Sequence, residues 1–184
     1  MKKGVVIFII ALIVIILALT GYNMVKKSEK NQILFETNYG NITIELRGDQ
    51  PITAGNFKSL VEKGTYNGVI FHRIIPKFMI QGGDPTGTGY GDPKIPMIKD
   101  EFNGEQKNNR GTLAMANANT PSRMNTGSSQ FFINLVNNNF LDGKHPVFGS
   151  VVSGMDVVDA IAAVDTDAND KPIKPVVIQK ASVL

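Results

Sequence analysis

Apolar and polar residues alternate at several places along the chain, and this period of two predicts short β-strands. In the clearest case, strands over 33–38 and 41–46 form a hairpin that turns at Tyr39-Gly40, with Ile42 and Ile44 on one face. Further strands are predicted on both sides of Pro76 within 69–84, and over 111–117, 130–135, 145–152 and 175–182.

Two other segments carry apolar residues at helical spacing. Asp49 is the predicted N-cap of the first helix, which Gly64 ends, and Asp156 is the predicted cap of a second helix that runs to Ala163. Because short turns join most neighbouring strands, the sheet should be largely antiparallel. We therefore predict a mainly β fold, a closed eight-stranded antiparallel β-barrel capped by two α-helices.

The start of the chain has a different pattern, since Gly4–Tyr22 carries no charge and is almost wholly apolar. At about 1.5 Å per residue, a helix of this length crosses a hydrocarbon core about 30 Å thick. We predict an uncleaved transmembrane anchor at 1–25, a polar linker at 26–32 and one globular domain at 33–184. The domain would face the extracytoplasmic side of the cell membrane; the alternative is a cleaved signal sequence and a secreted domain.

Composition and charge exclude several classes of function. The net charge is only +3, with no basic stripe interleaved with aromatic residues, so nucleic acid is not an expected partner. The chain has no cysteine, which excludes disulfides, thiolate nucleophiles and Cys-based zinc sites. Its two histidines, His72 and His145, have no histidine three or four residues away, and the glycine run over 82–89 lacks the ending of a phosphate loop. We expect neither a metal nor a cofactor.

The stretch over 69–84 places polar groups inside an apolar surface. Arg73 and Gln81 lie among Val, Ile and Phe residues. Burying such groups without partners costs about 1–3 kcal/mol each, and more for a charge. A segment that only built a core would not contain them. Long loops over 85–109 and 118–128 follow, and loops of this length in compact domains are often functional.

Four blocks of the globular part carry long, ordered motifs: Phe71–Asp84, Leu113–Ala118, Ser129–Ile133 and Leu141–Gly149. Together they resemble the signature of cyclophilin-type peptidyl-prolyl cis-trans isomerases. The likeness runs from about Ile33 to Leu184. The fold of that family, a closed eight-stranded barrel with two capping helices, agrees with the elements predicted above.

The resemblance also implies site residues. Those it implies for catalysis are Arg73, Gln81, Phe132 and His145. Those it implies for substrate binding are Phe78, Met79, Ala116, Asn117, Phe140 and Leu141. In this assignment a proline pocket forms at Phe78, Met79, Phe132 and Leu141, with His145 on its rim, and the substrate backbone meets Gln81, Ala116 and Asn117.

Two features of this sequence differ from the family pattern. Phe140 stands where several well-known members carry Trp, and Phe has no indole N–H to donate. This argues against binding of the family's cyclic-peptide inhibitor, cyclosporin, more than against catalysis. The loop over 118–128 is also longer than in short members, so its contacts with substrate are not assigned.

Strand alternation leaves the faces of two adjacent pairs open. Phe78 and Met79 would point to opposite faces unless the backbone bends after Pro76. Phe131 and Phe132 pose the same question, and the resemblance favours Phe132 for the pocket and Phe131 for the core.

Some of these residues also have a purely structural interpretation. Gln81 could brace the glycine turn that follows it, His145 could serve only in a turn, and Phe140 could be surface packing. His72 falls on the strand face opposite Arg73, and we interpret it as a hydrogen-bonded structural histidine.

The predicted function is isomerisation of X-Pro bonds in proline-containing peptides and in unfolded or exported proteins. An Arg N–H aimed at the amide nitrogen is worth most when the bond is twisted, which is what accelerates the rotation. The alternative is a non-catalytic module that binds proline peptides and needs no such donor.

Overall fold

The computed structural model describes residues 8–20, 31–103, 105–117 and 124–184. In that part of the chain three α-helices are present: α1 (8–20), α2 (Thr53–Glu62) and α3 (Met155–Ala162). A single sheet contains the strands β1 (Gln32–Thr37), β2 (Gly40–Leu46), β3 (Val69–Ile70), β4 (Arg73–Ile75), β5 (Met79–Gly82), β6 (Thr112–Met115), β7 (Phe131–Asn134), β8 (Val147–Ser153) and β9 (Val177–Val183). A short 3₁₀ helix, Asn139–Leu141, follows β7.

All neighbouring strands of the sheet are antiparallel, in the order β3-β9-β1-β2-β8-β6-β7-β5-β4. The two edge strands, β3 and β4, follow each other in the chain with only Phe71 and His72 between them. Two residues span at most about 10 Å from strand end to strand start. The sheet is therefore curled, and its two edges are brought together by the chain.

This architecture confirms the mainly β, antiparallel class and corrects the predicted closed barrel of eight strands. The described sheet has nine strands, and no ladder of hydrogen bonds joins its edges. The backbone N–H of Phe71 donates to Val176 (2.9 Å) and that of Ile74 donates to Asp170 (2.8 Å). Because loops accept these bonds, the segment predicted as one strand before Pro76 is divided in two.

The core lies inside the curled sheet, where α2 and α3 cover it. Four aromatic rings from β1, α2, the loop after α2 and β7 pack with centroids 5.0–6.3 Å apart: Phe35, Phe57, Tyr66 and Phe131. Val158 and Ile161 of α3 are also fully buried. Tyr66 satisfies its phenol by donating to the backbone oxygen of Ser129 (2.9 Å).

The helix caps differ from those predicted. Asp49 does not cap α2, because its carboxylate pairs with Arg47 (2.7 Å). The backbone N–H of Thr53 instead donates to the carboxylate of Glu101 (2.7 Å), a residue 48 positions away. Asp156 lies in the first turn of α3, and Gly154, with φ of 87°, occupies the cap position. A distant carboxylate that caps a helix cannot be identified from local sequence.

The predicted membrane span at 4–22 is described only over 8–20. These residues form α1, whose apolar side chains are exposed and whose axis is about 20 Å long. Within the described ranges, no helix has both the length and the apolar character needed to cross a membrane. Residues 4–7 and 21–22 of the predicted span, and 26–30 of the linker, lie outside the described residues.

Candidate active site

The cross-strand register brings residues from five strands into rows across the sheet. One row joins β4, β5, β7, β6 and β8 through direct partners: Arg73, Gln81, Phe132, Ala114 and Val147. Directly paired residues lie on the same face of a sheet. The adjacent row, which contains Ile74, Ile80 and Ile133, is fully buried in the main core. The Arg73 row therefore lies on the opposite, outer face.

A second, smaller apolar cluster covers this outer face. Its buried members are Met79, Ala114, Phe132 and Val147, and the half-buried side chains packed against them are Ile75, Phe78, Ala116 and Leu141. Phe132 is only 5% exposed. All four residues predicted for the proline pocket thus come together in this cluster, while Phe131 belongs to the main core.

The turn between β4 and β5 explains how Phe78 and Met79 join one cluster although they are neighbours in sequence. Lys77 has a φ of 62°, and the N–H of Phe78 donates to Ile75 (3.1 Å). The backbone therefore bends directly after Pro76, before β5 begins at Met79. Strict alternation does not apply across this turn.

Aromatic side chains form the walls of the cluster. The rings of Phe132 and His145 meet edge to face with centroids 5.4 Å apart, and His145 Nδ1 lies 3.0 Å from the oxygen of Met115. On the other side, Phe78 and Phe140 stack with centroids 5.9 Å apart and planes 19° apart. Phe140 remains 63% exposed, so this wall faces solvent.

The polar end of the row opens into a cleft of about 1000 Å³ that Arg73, Gln81, Ala116 and Asn117 help to line. The Arg73 side chain is 43% exposed, and its Nε lies 3.4 Å from the carboxylate of Asp170. Asn117 donates its amide to the oxygen of Lys144 (2.9 Å), which holds the end of the segment after β6. All ten predicted site residues are described, and they surround the apolar cluster and this adjoining cleft.

Gln130, for which the sequence pattern predicts no role, also lines the cleft. Its Oε1 accepts a hydrogen bond from Gln81 Nε2 (3.0 Å), and its Nε2 donates to the oxygen of Gly89 (3.0 Å). It therefore links the Arg73 row to the long loop after β5. The signal was present, because Gln130 lies within one of the four motif blocks, directly before Phe131.

Asp84 organises that long loop. Its buried carboxylate accepts hydrogen bonds from the N–H groups of Thr86 (2.9 Å), Gly89 (2.7 Å) and Gly91 (3.1 Å), and from both threonine hydroxyls nearby. Burial by itself raises the pKa of this carboxyl group, but the hydrogen bonds from Thr86, Gly91 and Gly89 together bring it below its ordinary value.

His72 lies beside this loop in the wall of the cleft. Burial lowers the pKa of this ring, an effect that the nearby charge of Asp84 partly opposes, so the environment favours the neutral form. Among the described residues its Nδ1 has no hydrogen-bond partner, which corrects the expectation of a hydrogen-bonded histidine. In the same part of the chain, no three His, Cys, Asp or Glu side chains are grouped so as to hold a metal ion.

Comparisons with known proteins agree with this architecture. The family model "Cyclophilin type peptidyl-prolyl cis-trans isomerase/CLD" matches residues 32–183. Peptidyl-prolyl cis-trans isomerase-like 1 of Aspergillus fumigatus is 46% identical over 156 residues, which are 83% of this chain and 94% of the relative. The protein of the same name from Rhizopus delemar is 50% identical over 148 residues, 78% of this chain and 87% of the relative.

A solved structure is also similar. The cyclophilin-type isomerase of Cryptosporidium parvum, crystallised in the presence of the dipeptide Ala-Pro, superposes with a TM-score of 0.78 at 35% identity, over 83% of this chain and 98% of that one. The curled sheet is thus the fold of a prolyl isomerase, and the cluster and cleft on its outer face form the candidate site.

The chain belongs to the cyclophilin-type peptidyl-prolyl cis-trans isomerases. It is an enzyme that catalyses rotation about X-Pro peptide bonds. The predictions of family and activity are confirmed, and the alternative of a module without turnover is set aside. The roles of the individual site residues stay predictions.

Proposed function

We propose that Arg73 is the catalytic group and that the outer-face cluster holds the substrate proline. The observation that carries this proposal is the row in which Arg73, Gln81 and Phe132 are direct cross-strand neighbours. It sets a permanently protonated donor next to a buried apolar floor on the same face of the sheet. A proline ring seated against Phe132 would place its amide nitrogen near the guanidinium.

The physical basis is the electronic structure of the amide. Rotation about an X-Pro bond has a barrier of about 18–20 kcal/mol, because conjugation between nitrogen and carbonyl is lost at the midpoint. The nitrogen then regains a basic lone pair, to which a guanidinium N–H can donate. The same contact is worth little in either planar state, so it lowers the barrier without stabilising the substrate equally.

The remaining site residues then orient the peptide. Met79, Phe78 and Leu141 would contact the proline ring, and His145 would limit its movement at the rim. Gln81, Ala116 and Asn117 line the cleft where the preceding residues of the peptide would extend. Phe140, stacked on Phe78, would shield the pocket on the opposite side. No proton transfer or covalent intermediate is needed.

A protease-coupled isomerisation assay on the full chain tests the role of Arg73. We expect Arg73→Ala to lower kcat/KM by about 10²–10³, the loss typical of one removed electrostatic donor. Arg47→Ala is the matched control, since it removes another arginine of an exposed ion pair, outside the site. Unchanged activity in Arg73→Ala would refute the proposed role.

We further propose that residues 1–25 are a single-pass anchor and that the domain assists folding of exported proteins outside the cytoplasm. The uncharged run from Gly4 to Tyr22 supports this, as do the exposed apolar side chains of α1, such as Phe8 (71%) and Leu17 (65%). Carbonate extraction of membranes and mass spectrometry of the N-terminus test it. A mature chain that begins near Gly21 would instead indicate cleavage and secretion.

A further inference from the structure

The loop between α3 and β9 contains a tight turn that Asp167 stabilises. The N–H of Asp167 donates to Lys171 (2.8 Å), and its carboxylate accepts from the N–H groups of Asn169 (2.8 Å) and Lys171 (3.0 Å). The N–H of Asp170 donates to the oxygen of Asp167 (3.1 Å). Because these bonds form the turn, the side chain of Asp170 is not needed for it.

Asp170 instead makes two contacts with β4. Its backbone oxygen accepts from the N–H of Ile74 (2.8 Å), which fixes the turn against the open edge of the sheet. Its carboxylate lies 3.4 Å from Nε of Arg73, the residue that directly precedes Ile74. One residue thus holds both the backbone of β4 and the side chain that we place at the reacting bond.

The backbone conformation of Asp170 is one in which a side chain lowers the stability of the fold relative to glycine. Its φ of 62° is in the left-handed region, which glycine adopts freely and which aspartate and asparagine adopt only with some strain. An ion pair whose partners are both 43% exposed contributes little to stability. Glycine at 170 would keep the backbone bond to Ile74, so stability alone does not explain an aspartate here.

The contact does restrict Arg73. A long, half-exposed arginine side chain has many rotamers, and among the described residues Asp170 is its one polar partner. The carboxylate lies at Nε, so both Nη groups are left without hydrogen-bond partners in this part of the structure. The contact is an ion pair and not a hydrogen bond, and it attracts the planar guanidinium towards Asp170 while the two terminal N–H₂ groups stay available.

We propose that Asp170 is a positioning residue for the isomerase reaction, whose carboxylate charge biases the Arg73 guanidinium so that its Nη groups meet the amide nitrogen of the twisted bond. The proposal rests on the role assigned to Arg73 above. Holding a catalytic group in the reactive geometry lowers a barrier because the entropy of orientation is lost before the reaction begins.

Steady-state kinetics and thermal unfolding of Asp170→Gly in the full chain test the proposal. We expect kcat/KM to fall about two- to fivefold, mainly through kcat, because an exposed ion pair can bias the position of the guanidinium only by its own small interaction energy. The unfolding midpoint should stay equal or rise, since glycine relieves the strain at 170. Asp170→Asn, which tolerates the same φ but removes the charge, should lose activity to the same extent as Asp170→Gly. Asp49→Gly, which removes the carboxylate of another exposed pair, should leave activity unchanged.

Two results separate this proposal from the one on which it rests. Full activity in Asp170→Gly, with Arg73→Ala inactive, would overturn the positioning role and leave the catalytic role intact. Full activity in Arg73→Ala would overturn both. In an Arg73→Lys background, which has no guanidinium to orient, Asp170→Gly should cause no further loss, and a second loss of the same size there would contradict the coupling.

Discussion

Gly83 is the position where a single added methyl group should disturb this fold most clearly. It follows β5 with φ of 86°, between Gln81 of the site and Asp84 of the long loop. A Cβ at this position would lie 2.5 Å from the backbone oxygen of Ser129 and 2.7 Å from a ring carbon of Phe131. Neither can move easily, because that oxygen accepts the hydrogen bond of Tyr66 and the ring is fully buried.

Two terms set the size of the effect of Gly83→Ala. A left-handed backbone costs an L-residue about 1–2 kcal/mol. Overpacking against an immobile wall adds about 1–3 kcal/mol. Gly68→Ala is the matched control, because Gly68 has a similar φ of 78° but nothing within 4 Å of the added Cβ. Only the first term applies there.

Thermal unfolding of the full chain, followed by circular dichroism, measures the difference between the two variants. Each kcal/mol lowers the Tm of a domain of this size by about 2–4 °C. We expect Gly83→Ala to unfold at a Tm about 2–12 °C lower than Gly68→Ala, which follows from the overpacking term alone. Equal midpoints would show that Ser129 and Phe131 yield freely, and the packing argument would then be wrong.

Three further predictions follow from single groups. Hydrogen bonds to the Asp84 carboxylate lower its pKa, so this group stabilises the fold above the unfolded pKa near 3.8. That stability is lost as the pH falls through the lower folded pKa. Urea titrations of Asp84→Asn should therefore show a smaller loss of stability at acid pH. Burial raises the pKa of Tyr66, so the stability of the fold should decline above pH 10 as the phenol of the unfolded chain ionises. Tyr66→Phe should remove that decline. It should also cost about 1–3 kcal/mol of stability at pH 7, because the backbone oxygen of Ser129 loses its hydrogen bond. Phe140→Trp adds an N–H donor to an exposed wall and should tighten cyclosporin binding about 2- to 12-fold in calorimetry, whereas unchanged affinity would exclude that donor as the limiting contact.

Local patterns determined much of the fold in advance. The hairpin of β1 and β2 was predicted within a residue or two because alternation and a Tyr-Gly turn are both encoded by adjacent residues. The segments α2 and α3 were predicted as helices because the helical spacing of apolar residues is likewise a local pattern. The predicted caps at Asp49 and Asp156 were wrong, because a cap depends on which acceptor is nearest in space, and for α2 that acceptor is Glu101.

The division of 69–75 into β3 and β4 also depended on distant contacts. Periodicity predicts where a strand can form, but a strand persists only where a neighbour supplies hydrogen bonds along its length. At Phe71 and Ile74 the acceptors come from loops near the C-terminus, so the strand breaks and the sheet curls without closing. No local pattern in the first half of the chain contains that information.

For the site, the sequence by itself determined the chemistry: one arginine and one glutamine within apolar strands, aromatic residues for a pocket, and no cysteine. The tertiary structure decided which of these side chains share a face, since register joins Arg73, Gln81 and Phe132 from three separate strands. It also decided that Gln130 and Asp170 are their partners. The physical reason is that side-chain type is a local property, whereas proximity across a sheet is set by the packing of the whole chain.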